Sequence, residues 1–183
     1  GSEMCIRDRN EEQNQINQGA IANKIAIIGN KDILVFDSGP SKKFAESFIK
    51  EVRKYSDKPI KYLVVSHRHF DHAYGIEAYI HNKTIIYMDK TEYFYFKKEG
   101  PLINQLLIKN FGLNENNIDF SNVSEKNISF INNKLEVNLG NRKVLIENMG
   151  IAHTKGDLIV YDYNTKTYVM GDLIFQGRAA AFS

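Results

Sequence analysis

With 183 residues, the chain is long enough for one domain with a substantial core. Its 43% hydrophobic and 25% charged content is that of a globular protein, and a net charge of +2 speaks against a nucleic-acid or membrane surface. A lone cysteine, Cys5, excludes an intrachain disulfide and any thiolate-rich metal site, and no apolar run approaches a membrane span.

Gly1 to Arg9 resemble neither a signal peptide nor a structural element, and Gly1-Ser2 resembles a tag scar. Residues 1–19 are therefore expected to be a loose tail before one domain over 20–183. Ile21 to Ile28 and Ile33 to Phe36 read as strands joined through Gly29-Asn30-Lys31-Asp32, a hairpin signal. Pro40 then precedes Phe44, Ala45, Phe48, Ile49, Val52 and Tyr55, the spacing of a helix with one apolar face. Pro59 ends that pattern, and Ile60 to Val65 is a short strand of the buried kind, so the order is β-α-β. Ala73 to Ile80 predicts a short helix and Thr84 to Met88 a strand.

The aromatic run Tyr93-Phe94-Tyr95-Phe96 is expected to pack rather than stack on a ligand. Gly100-Pro101 is expected to interrupt the helical pattern before Leu102, Leu106 and Phe111 resume it. Asn114 to Lys126 is polar and irregular. Short β runs follow at Ile128 to Ile131, Leu135 to Leu139, Val144 to Met149, Leu158 to Tyr161 and Thr167 to Met170.

Chemistry concentrates where the Ile60–Val65 strand ends, in Ser66-His67-Arg68-His69-Phe70-Asp71-His72. Neutral imidazole and carboxylate suit zinc and comparable first-row metals. His67 and His69, on one side of an extended or turning backbone, can reach one ion, while Asp71 and His72 can reach a second nearby. His153, in the loop Gly150 to Asp157, supplies a third nitrogen for the first ion. Asp172 follows Gly171 at a strand end. Asp37 has the same placement, either as a partner fixing an imidazole tautomer or as a helix-start residue near Pro40.

The ordered set Asp37-Ser38-Gly39, His67-x-His69-x-Asp71-His72, His153-Thr154-x-Gly156-Asp157 and Gly171-Asp172 resembles the metallo-β-lactamase fold superfamily over about residues 20 to 180. The resemblance implies an α/β four-layer αββα sandwich, here incomplete at its C-terminal part, with metals at one edge. It implies His67, His69 and His153 on one zinc, Asp71 and His72 on a second, and Asp172 bridging them; iron or manganese are alternatives. Asp37, Thr154 and Asp157 would support the ligands through hydrogen bonds. Asp71 would orient an activated water.

A bridging aspartate is similar to glyoxalase II-like thioesterases, lactonases and phosphodiesterases, not to true β-lactamases. Asp37 to Ser41 and Gly171 to Arg178 look closest to hydrolases encoded beside quinoprotein dehydrogenase and sulfur-oxidation systems. The expected substrate is a small ester, thioester or lactone, with a β-lactam or a non-catalytic metal-binding fragment as rivals. A small-molecule substrate is expected as partner, with no nucleic acid or membrane and with a tendency to self-associate; the compartment is not legible from this terminus, and bacterial cytoplasm and periplasm both stay open. The family pattern continues to a further histidine. The unassigned His81 reads instead as an exposed helix-end residue.

Overall fold

A computed structural model of the chain describes residues 4–7, 14–80, 83–114 and 118–174. Six strands form one sheet in chain order: β1 (Met4–Arg7), β2 (Lys24–Ile28), β3 (Ile33–Phe36), β4 (Ile60–Val64), β5 (Ile85–Met88) and β6 (Ile128–Phe130). β1 to β3 pair antiparallel, and β3 to β6 pair parallel. A second, antiparallel sheet has the order β10 (Thr167–Val169), β9 (Leu158–Asp162), β8 (Lys143–Asn148), β7 (Lys134–Asn138).

Apart from Lys61, β3, β4 and β5 are apolar because both faces are covered. Val35, Leu63 and Ile86 face helices, meeting Ala45, Phe48 and Val52 of α1 (Lys42–Val52), Tyr79 of α3 (Glu77–Ile80) and Phe96 of α4 (Lys90–Phe111). The alternate residues Leu34, Phe36 and Val64 face the second sheet, meeting Val144, Ile146 and Val160. This is the mixed α/β class expected, and three of the four expected layers are represented among the described residues.

Four local expectations change. Met4–Arg7 is not a loose tail: it pairs as an edge strand, Met4 opposite Ile27 and Arg7 opposite Lys24. The open edge of β2 offers unpaired backbone groups that this segment satisfies. The predicted Ala73–Ile80 helix is instead two short ones, α2 (Phe70–Ala73) and α3. The break falls at Gly75, whose N–H donates to the Gly39 carbonyl at 2.8 Å and whose Cα lies against the Ser38 carbonyl with no room for a Cβ.

Conversely, α4 runs unbroken through Gly100-Pro101. Proline inside a helix costs about 3 kcal/mol. The ring of Phe120 packs where a Cβ on Gly100 would stand, Tyr74 Oη donates to the Gly100 carbonyl at 3.2 Å, and Lys97 Nζ donates to the carbonyls of Phe120 and Val123. Those tertiary contacts outweigh the local penalty. The aromatic run divides: Phe96 is core, Tyr93 packs on Phe130 at 5.6 Å between ring centroids, and Phe94 is exposed. His81 and Phe175 to Arg178 lie outside the described residues.

Candidate metal centre

The C-terminal ends of β3, β4 and β5 and the loop after β8 meet at one edge of the sandwich. β4 delivers Ser66, whose N–H donates to Asp37 Oδ1 at 2.8 Å. His67 and His69 follow in the turn before α2, and that short helix carries Asp71 and His72. The β8–β9 loop brings His153, shaped by Thr154, which donates to Asp157 from its N–H at 2.7 Å and from Oγ1 at 3.0 Å. Leu158 N–H donates to the Ser66 carbonyl at 2.9 Å, joining the two sheets beside the ligands. Asp172 comes in on a single turn of 3₁₀ helix, Gly171–Leu173. Gly171 has φ of 53°, and a Cβ there would stand 3.1 Å from Ser66 Cβ.

Three imidazole nitrogens converge. His67 Nε2 lies 3.0 Å from His69 Nδ1, and His153 Nε2 lies 3.1 Å from the same atom. Their rings stand edge-on to one another at 84°, 85° and 84°, and one nitrogen of each lies within 4.8 Å of the others. Around a tetrahedral zinc with bonds of about 2.05 Å, nitrogens would be roughly 3.3 Å apart. The observed spacing is within a few tenths of an ångström of that.

A second set sits beside it. His72 Nε2 is 3.3 Å from Asp71 Oδ2 and 3.2 Å from Asp172 Oδ1, while Asp172 Oδ2 is 3.6 Å from His153 Nε2. The two oxygens of Asp172 thus face the two sets. Buried His72 Nε2 has no hydrogen bond of good geometry among the described residues. An orphaned buried nitrogen among carboxylates is what a cation site requires.

Asp37 is a partner of His72 and not the helix start, a role that Ser41 takes by accepting from Phe44 N–H. Asp37 Oδ2 lies 2.7 Å from His72 Nδ1 and accepts from Ser66 Oγ at 3.1 Å. Its φ of 64° is unusual outside glycine and turns the carboxylate into the site. Ser38 N–H, Ser38 Oγ and Gly39 N–H all donate to the His72 carbonyl, at 2.7, 2.9 and 3.2 Å. One tripeptide therefore holds His72 by its ring and by its backbone.

Protonation fits the assignment for most of these groups. Burial, with the neighbouring imidazoles, pushes His67 well down and His69 down to about 4, leaving both unprotonated at neutral pH. Burial would raise the Asp71 and Asp172 carboxyls, but His72 beside them wins and holds both below the usual range. Burial would lower His72, yet Asp71 and Asp37 outweigh it and raise the imidazole well above its ordinary value.

Three contributors carried no signal in the sequence. Ser66 Oγ lies 2.9 Å from His67 Nδ1 and 3.3 Å from His72 Nδ1, bridging both sets. Asp89 caps α4 and accepts from Asn148 Nδ2 at 2.8 Å. Glu92, fully buried, binds the two ligand-bearing loops. A small cleft beside His69 is lined by Phe70, Tyr74, Tyr95, Phe96 and Ile103, with Arg68 at its edge.

Residues 19–182 match the family model described as the metallo-beta-lactamase superfamily. The chain belongs to the metallo-beta-lactamase superfamily. A linear primary-alkylsulfatase from Pseudomonas sp. (strain ATCC 19151) is 30% identical over 86 residues, 44% of this chain and 16% of that protein. Among solved structures, TMB-1 superposes with a TM-score of 0.62 at 18% identity, covering 87% of this chain and 62% of that one. The sec-alkyl sulfatase PisA1 superposes with a TM-score of 0.62 at 14% identity, covering 82% of this chain and 28% of that one. These likenesses carry the superfamily fold, and this chain spans less than two thirds of each protein.

Proposed function

We propose that this domain is a metal-dependent hydrolase of esters, thioesters or lactones. The observation that carries the reading is the convergence of His67, His69 and His153 beside a second set of His72, Asp71 and Asp172. In this assignment His67, His69 and His153 would hold one metal ion such as zinc, and His72, Asp71 and Asp172 would hold a second. Bound metals of this kind supply Lewis acidity and a water of lowered pKa. Asp71, held ionised beside His72, would orient such a water through its carboxylate. Asp37 and Ser66 keep His72 in the tautomer whose Nε2 faces the site. The apolar walls of the cleft beside His69 favour a small acyl group next to the reacting carbonyl.

A second reading is a sulfate ester, favoured by the local identity to the linear primary-alkylsulfatase. Metal analysis of the purified protein, followed by turnover of an activated ester, a thioester, an alkyl sulfate and a chromogenic cephalosporin, decides between them. The ester or thioester should be hydrolysed fastest, and only by metal-loaded protein. Preference for the cephalosporin would restore the β-lactamase reading, and preference for the sulfate the second one. Protein that takes up no metal would defeat both.

A further inference from the structure

Glu92 lies in the first turn of α4, has no exposed surface, and takes no part in the chemistry proposed above. A carboxylate is costly to bury unless donors surround it. Here Oε2 accepts from Arg68 N–H at 3.0 Å, and Oε1 accepts from Lys155 N–H at 2.9 Å. Arg68 Nη1 also donates to Oε1 at 3.0 Å and Oε2 at 3.1 Å.

The donors identify the purpose. Arg68 stands between His67 and His69, and Lys155 stands two residues after His153. One carboxylate therefore bonds both loops that carry the three converging imidazoles, although the loops rise from different sheets. Its own base is fixed: Asp89 Oδ1 accepts from the N–H groups of Thr91 and Glu92, and Gly156, in the His153 loop, packs against the Asp89 carboxyl with no room for a Cβ. On the far side, the Arg68 guanidinium lies over the Tyr95 ring at 5.2 Å.

We infer that Glu92 is a positioning residue, setting His67, His69 and His153 in register before any ion arrives. The inference rests on the tris-imidazole reading. Glu92→Gln tests it sharply, because an amide offers one acceptor and one donor, so Arg68 N–H or Lys155 N–H must face an NH₂ group. Partners that orient metal ligands are worth ten- to a hundred-fold in metal affinity.

The probe is Co²⁺ alone, with affinity from competition titration and coordination from the visible absorption of the bound ion. Val52→Ala, a core truncation in α1, serves as a destabilised control. Glu92→Gln should bind Co²⁺ ten- to a hundred-fold more weakly with an altered spectrum, while Val52→Ala keeps the wild-type affinity and spectrum. Affinity within two-fold of wild type and an unchanged spectrum in Glu92→Gln would overturn the inference.

Amide hydrogen exchange on the unmodified, metal-free protein tests it without a substitution. Arg68 and Lys155 amides should already be protected; fast exchange slowed only by Co²⁺ would show that the ion orders the loops, and would overturn the inference equally. Wild-type protein that binds no Co²⁺ would instead remove the tris-imidazole reading beneath it.

Discussion

Asp37→Asn isolates what a single buried carboxylate does for the second ligand set. The substitution is nearly isosteric, and asparagine is among the few residues that tolerate the φ of 64° at this position, so backbone strain is not introduced. Asp37 accepts from Ser66 N–H at 2.8 Å and lies 2.7 Å from His72 Nδ1. An asparagine that keeps the Ser66 bond through its oxygen must present its NH₂ to His72 Nδ1. That nitrogen then has to accept, which moves the imidazole proton to Nε2, the atom facing Asp71 and Asp172. When an ion displaces the extra proton of His72, Asp37 keeps the remaining one on Nδ1, whereas asparagine favours it on Nε2; binding there then costs about 10- to 100-fold in affinity, or ~1.4–2.7 kcal/mol. The converging set of His67, His69 and His153 keeps its own bonds and should lose little. Zinc titration by calorimetry on wild type and Asp37→Asn, with melting curves to confirm folding, reads both sites. Equal loss at the two sites, or no loss at either, would refute the tautomer argument.

The donor sets predict two binding steps on zinc titration, a tight one on three imidazoles and a weaker one on His72 with carboxylates; two equally tight steps would contradict it. Gly171→Ala should weaken the second step and lower stability by about 1–3 kcal/mol, because it forces a side chain into a left-handed φ 3.1 Å from Ser66 Cβ. At the opposite end of the strands, Asp162→Asn should cost about 3–5 kcal/mol in denaturant melts and leave zinc affinity unchanged, since it removes the opposing charge from buried Arg142. Burial would raise the Asp162 carboxyl, but hydrogen bonds from Arg142 and Thr165 hold it below its ordinary value. Its contribution is therefore fully present above the unfolded carboxylate pKa of about 3.9 and is lost as pH falls through the lowered folded value. Asp162→Asn should flatten that acid limb of the stability–pH profile, and an unchanged limb would place the acid sensitivity elsewhere.

Much of this arrangement was legible because its signals are local. Ile33 to Phe36 and Ile60 to Val64 have no polar residue but Lys61, which marks strands covered on both faces. Four ligand-type residues in six positions cannot be spread across a fold, so His67 to His72 had to share a site wherever β4 ended. What escaped depended on distant partners. Asp37 read equally as a helix start until the chain brought His72, 35 residues on, to its carboxylate. The continuity of α4 through Pro101 turned on Phe120 and Tyr74, neither of them sequence neighbours. Glu92 sits three residues after the capping Asp89, where an acidic side chain is expected for the helix dipole alone. Nothing in that local pattern marks it as buried.

The two ends of the sandwich divide the work. Away from the ligands, Arg142 donates to Asp162 at 3.1 and 2.6 Å and to the Ile28 carbonyl at 3.2 Å, and Asn30 and Asn141 exchange backbone-to-side-chain bonds at 2.9 and 3.0 Å. These bonds clamp the sheets together without any ion. At the ligand edge the sheets are joined by the Leu158–Ser66 bond and by Glu92, and both attach to the residues that bear the imidazoles. The far clamp holds the sheets together, while the place of the His153 loop against His67 and His69 is set locally by Glu92. Buried charge therefore serves a different end at each edge: Asp162 holds the frame, and Glu92 sets ligand geometry. Loss of the first should lower stability at constant affinity, and loss of the second should lower affinity by more than its effect on stability explains. A strict correlation between the two properties across both variants would show that the ends are not separable.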